Sequence, residues 1–212
     1  PIAIPGYILG FTWAGMLDYT SPLYTFLRNT WGVNTGAYLF FDLLSLPGAI
    51  LILSLALYPY VYLAARAWFG RQSAGLFEAA AALGHSKTSV FRTLTLPLAR
   101  PALVGGLALV LMEVLNDYGV VSYFGVDTFT TGIFSAWFAF GSKTSAVKLS
   151  AWLLFLVFAL LLGERLQRGQ KRYDTLRGSS RPLLRTPLHG LSRLGAQTLT
   201  ALPVLMGFVL PV

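Results

Sequence analysis

Two acidic residues, Glu113 and Asp117, interrupt an apolar run that extends from about Pro101 to Val121. Their spacing of four places both carboxylates on one face of a helix. An acidic group at membrane depth is costly and faces a cavity or a partner. Two readings of the pair stand. Either the carboxylates line a pathway and favour a cation, or Asp117 ends a helix at the membrane surface while Glu113 pairs with a neighbouring helix. Other reactive side chains are sparse. The two histidines, His85 and His189, lie far apart in basic segments, and the chain has no cysteine. No thiolate site and no ligand set for a resident metal is therefore expected. An intramembrane enzyme would need a nucleophile with a base, or a metal cluster, at membrane depth. Ser54 and Ser150 lie in apolar segments but no histidine does, so no catalytic residue is assigned and the enzyme is the remote alternative. Lys87-Thr88 raises the question of an ATP site. A phosphate loop needs glycine just before the lysine and another five residues earlier. Those positions hold Ser86 and Ala81, so no ATP site is expected in this chain.

The stretch that carries these residues, "EAAAALGHSKTSVFRTLTLP" at 78–97, has an order of its own. Residues 74–84 are strong helix formers apart from their glycines. Alanines keep the backbone near the surface, so another protein can pack closely. Gly84 suits a left-handed helix end, and Ser86 can cap a second short helix. Val90, Phe91 and Leu94 would form that helix's apolar side, and Pro97 would stop it before the next span. The expectation is helix, sharp turn, helix.

The surrounding composition says where such a knob sits. Of 212 residues, 55% are hydrophobic and 11% charged, against about a quarter charged in soluble domains. The mean hydropathy is +0.64. An all-α, polytopic transmembrane helix bundle is the reading. Apolar segments are expected at about 1–16, 46–65, 101–121, 147–163 and from 199 on. The second has 20 residues, about 30 Å of helix, with Pro59 expected to kink it. Tyr58, Tyr60 and Tyr62 fit an interfacial aromatic belt. Phe134, Trp137 and Phe138 fall on one helical face, either a short helix at the outer interface or a half-membrane segment.

Charge orients the spans. Of 16 Lys and Arg, five lie between Arg66 and Arg100 and eight between Arg165 and Arg193. That pattern places loops 66–100 and 164–197 in the cytoplasm. The net charge of +8 would suggest nucleic acid on a soluble domain. Here membrane spans split the basic residues, so no nucleic-acid partner is expected. The stretch after Gly163, rich in Arg, Gly, Ser and Pro, reads as a mobile linker. There is no initiator Met or basic leader, and both ends are apolar and look cut, so a piece of a longer protein is expected.

Glu78-Ala79-Ala80, three residues, Gly84, nine residues, Leu94, one residue, Leu96-Pro97 resembles the EAA loop of ABC importer permeases. The only departure is Leu94, where the family has isoleucine. The resemblance implies a type I ABC importer permease fold and a role for the loop at 74–97. There Glu78, Ala79, Ala80 and Gly84 would dock on a cytoplasmic ATPase subunit. Leu94, Leu96 and Pro97 would carry the loop back to the membrane. ATP and Mg would be bound by that partner, and no cofactor by this chain. "LMEVLNDYGVVSYFGVDTFTTGIFSAWF" at 111–138, with "PIAIPGYILGFTWAGMLDYTSP" at the start, is similar to the iron(III) branch of these permeases. That branch implies an external, periplasmic binding protein, an inner-membrane location amid lipid, and two fused permease domains. Residues 1–166 would be most of the first domain, 167–197 a basic cytoplasmic linker and 198–212 the start of the second. Thiamine permeases share the fused layout, and phosphonate and polyamine importers are near relatives, so the solute stays open.

Overall fold

The computed structural model describes residues 4–18, 20–31, 42–70, 74–168 and 190–211, and among them every regular element is helical. The order is α1 (Gly6–Leu17), α2 (Pro22–Trp31), α3 (Leu46–Phe69), α4 (Ala74–Ala82) and α5 (Lys87–Val90), then α6 (Leu96–Asn116) and α7 (Gly119–Tyr123). After these come α8 (Phe129–Phe134), α9 (Lys143–Arg168) and α10 (Leu191–Val204). Three π-helical segments, Phe91–Thr95, Ser135–Ala139 and Leu205–Val209, extend α5, α8 and α10.

Among the described residues three helices are long and apolar enough to cross a membrane: Leu46–Phe69, Thr88–Asn116 and Lys143–Leu166. Only 6% of the α9 span is buried within the chain, against 33% for α3. Trp152, Leu154, Phe155, Phe158 and Leu162 are all exposed on α9. An apolar face of that extent has no place in water. The chain is all-α and polytopic, as its composition predicts.

Where the helices meet, small residues let them meet closely. Helix α3 packs most extensively on α6. A Cβ at Gly106 would stand 3.0 Å from the Val61 Cα and 3.2 Å from the Ala64 Cβ. The two backbones therefore touch, which is how membrane helices gain packing without a hydrophobic drive between them. A second core forms where α1, α3 and the short α7 converge. Leu9, Ile52 and Val120 are fully buried there, with Trp13, Ala56 and Phe124 around them.

Several expected boundaries move, each for a local reason. Pro97 does not stop the helix: residues 88–116 run continuously through it. A proline lacks an N–H and its ring crowds the carbonyl four residues back. The widened turns at Phe91–Thr95 relieve that crowding, with the Leu96 N–H donating to the Phe91 carbonyl five residues earlier. The same widening takes Phe91 off the expected apolar side. Val90 is buried and Leu94 half-buried, but Phe91 is exposed. Helix α6 runs unbroken past Glu113 and ends at Asn116 rather than near Val121. Helix α9 starts earlier than expected because the Ser142 hydroxyl accepts the Ser145 N–H, an N-cap. The last helix begins at Leu191, not near Leu199. Most of the expected linker, residues 169–189, lies outside the described residues, as do 32–41, between α2 and α3, and 71–73, before α4.

Candidate functional site

The loop at 74–97 is built by two local devices. Helix α4 closes on four consecutive alanines, with Glu78 and Ala79 exposed and Ala80 turned inward at 9% exposure. It ends by the means its glycine allows. The His85 N–H donates to the Ala80 carbonyl, five residues back, while Gly84 takes φ +78°. That bond, with a left-handed glycine, is the Schellman ending of a helix. A Cβ at Gly84 would meet nothing within 4 Å, so the position constrains conformation and not space. The Ser86 hydroxyl then accepts the Ser89 N–H at 3.3 Å and opens α5. Both the left-handed turn and the serine cap match the sequence expectation.

The turn leaves Leu83 78% exposed, beside exposed Gly84, His85 and Ser86. A large apolar side chain at a loop tip, flanked by Glu78 and Ala79, is a surface suited to another protein. The return path differs in character. Leu94 and Pro97 are half-buried, Leu96 is 41% exposed, and Thr95 is buried with its hydroxyl on the Val90 carbonyl at 3.3 Å.

The acidic pair is divided by the fold. Glu113 is exposed on the last turn of α6, together with Asn116. Asp117 is no longer helical: it has extended geometry, φ −66° and ψ 131°. The expected shared helical face is therefore absent, because the helix ends one residue before Asp117. The Asp117 Oδ1 instead accepts the N–H groups of Val120 and Val121 at 3.0 and 3.1 Å, and so caps α7. Its backbone carbonyl accepts the Thr130 hydroxyl at 2.6 Å. Tyr118 stacks on Phe134 with ring centroids 4.0 Å apart. The loop and Glu113 thus sit near opposite ends of one unbroken helix. From Leu96 to Glu113 is about 25 Å at 1.5 Å per residue.

Some of this could not be expected from residue types alone. The Thr128–Thr131 capping box has no ready sequence signal, because the third position ordinarily holds Glu or Gln and here holds a threonine. The π-helical turns carry no signature either. Among the described residues no group of His, Cys, Asp and Glu could hold a metal ion. His85 is exposed in the turn, and His189 lies outside the described residues.

The chain is 29% identical over 185 residues to the Fe(3+)-transport system permease protein FbpB 2 of Haemophilus influenzae (strain ATCC 51907 / DSM 11121 / KW20 / Rd). The match takes in 87% of this chain but 32% of that relative, so the chain spans about a third of its length. No solved structure matches. Residues 1–172 match the family model described as binding-protein-dependent transport system inner membrane component. With that match over most of its length and three helices fit to cross a bilayer, the chain belongs to this family of multi-pass inner-membrane proteins.

Proposed function

We propose that this chain is the membrane part of an ABC importer that passes iron(III), delivered by an external binding protein and driven by a separate ATPase subunit. One geometric observation carries the reading. An exposed helix–turn tip, with Glu78, Ala79 and Gly84, is joined to the membrane through a single continuous helix that has Glu113 near its far end. A tip pushed from the cytoplasm would tilt that helix as a rod, because the widened turns carry it through Pro97 without a break. The membrane end around Glu113 would then change the side to which it opens. ATP and Mg act on the partner subunit; what this chain supplies is the lever.

The solute rests on different support. The similarity to a protein named as an Fe(3+)-transport permease favours iron(III) over thiamine, phosphonate or polyamine. A carboxylate at membrane depth suits a cation, and the exposed Glu113 is the better placed of the two acids to line its path. Asp117 contributes by shaping the turn where that path would end. The orientation that puts the 74–97 tip in the cytoplasm rests on the clustering of basic residues.

The test is uptake of radiolabelled iron(III) by cells carrying the full-length protein and its ATPase subunit, with thiamine as a second label. Iron uptake that disappears in Gly84→Val, while the protein still inserts, is the expected result. Thiamine uptake instead would retain the importer and change its solute. Normal iron uptake in Gly84→Val would remove the coupling role of the loop.

A further inference from the structure

A groove of ≈ 300 Å³ opens between the helical stretch from Phe129 to Ala139 and the first two turns of α9. Its walls are Ile133, Phe134, Trp137, Phe138, Ala146 and Val147, with Ser150 at one end. The Ser150 hydroxyl donates to the Ala146 carbonyl at 2.9 Å, so it is already engaged with its own helix. What the groove offers an occupant is therefore hydrocarbon.

The rim is different. The Lys143 ammonium stands 5.7 Å from the centre of the Trp137 ring, a wall residue. Lys143 and Lys148 are the only Lys or Arg between Arg100 and Arg165. Both are exposed, but five residues set them about 7.5 Å apart along α9 and about 140° apart around it, so Lys143 is the one at the groove. One cation thus marks the mouth of an apolar slot on a helix fit to cross the bilayer. From Lys143 to Ser150 is about 10 Å of helix, the depth over which a bilayer passes from headgroups to upper acyl chain. Trp137 and Phe138, 45% and 75% exposed, supply the aromatic anchors found at that level.

We propose that this groove binds an anionic phospholipid of the surrounding bilayer, with one acyl chain along Phe134, Phe138 and Val147 and the phosphate at Lys143. An acyl chain matches the apolar walls, and an anionic headgroup matches the Lys143 cation at the mouth. One amphipathic molecule meets both demands at once. The inference depends on α9 spanning the membrane and is independent of the solute carried.

The experiment uses the full-length protein in nanodiscs containing phosphatidylglycerol and phosphatidylcholine, each in turn carrying a diazirine on one acyl chain. Photolabelling should concentrate on residues 133–138 and 146–150, with phosphatidylglycerol preferred. Lys143→Gln should reduce that preference about fivefold, the effect of losing one cation at an anionic surface. Val147→Trp, at a position 62% exposed, should block labelling of the groove while the protein remains inserted. Equal labelling by both lipids in the wild type, or labelling unchanged in Val147→Trp, would overturn the proposal. So would a high-yield disulfide between Phe138→Cys and a cysteine on another helix of the importer, since protein would then cover the groove.

Discussion

The indole N–H of Trp13 donates a 3.0 Å hydrogen bond to the backbone carbonyl of Met206, 193 positions away. The reason lies in the segment that carries Met206. In the π-helical turns at Leu205–Val209, the Leu210 N–H goes to Leu205, five residues back. The matching donor for Met206 would be residue 211, and that residue is Pro211, which has no N–H. The Met206 carbonyl is left without a helical partner, and the buried indole of α1 supplies one.

Trp13→Phe keeps an aromatic ring in the core and removes this donor. Loss of about 1 kcal/mol is expected, the low end of the cost of an unmet carbonyl, because Met206 is only half-buried. Unfolding of the full-length protein in mixed micelles measures it. An unchanged unfolding free energy would mean that another donor replaces the indole.

Gly84 tests the turn of the loop, since its φ of +78° is open to glycine and tolerable for asparagine. Gly84→Asn should keep transport near normal. Gly84→Val should cost about 1–2 kcal/mol in local conformation and uncouple ATP hydrolysis from uptake. Equal behaviour of the two variants in a reconstituted importer would show that the left-handed turn is irrelevant to coupling.

The two carboxylates should separate by substitution. Asp117→Asn retains an oxygen for the Val120 and Val121 N–H groups, whereas Asp117→Ala removes it and should cost about 1 kcal/mol at the start of α7. Amide exchange at those two residues reads the loss. Glu113→Gln leaves this turn untouched and should lower iron uptake about tenfold, equivalent to about 1.4 kcal/mol. Normal uptake in Glu113→Gln would exclude the carboxylate from the pathway.

At the crossing of α3 and α6, Gly106→Leu has no room, because the first added carbon already meets Val61 at 3.0 Å. Overpacking of this kind costs about 1–3 kcal/mol. Unfolding of the full-length protein in mixed micelles should come at lower denaturant in the variant; an unchanged midpoint would place the closest approach elsewhere.

The fold class was legible because apolar length is a local property. A run such as Leu46–Ala65 must be a helix in lipid, whatever surrounds it, since each backbone group has to bond within its own segment. Helix ends were less legible, and Phe91 shows why. Its expected place beside Val90 and Leu94 assumed 3.6 residues per turn, and the π-helical widening before Pro97 broke that period. The acidic pair failed for a related reason. A spacing of four implies a shared face only while one helix continues, and α6 ends at Asn116.

The sequence by itself determined that the apolar runs are helical, though not where they end, and it determined the left-handed turn at Gly84 and the cap at Ser86. Each depends on residues within a few positions of one another, where conformational preference and capping act directly. Only the tertiary structure decided that Asp117 caps α7 and receives Thr130, and that Gly106 lies against Val61. It alone joined Trp13 to Met206 and opened a groove between Phe134 and Val147. Those relationships need partners distant along the chain, and a residue's spacing from its neighbours carries no information about them.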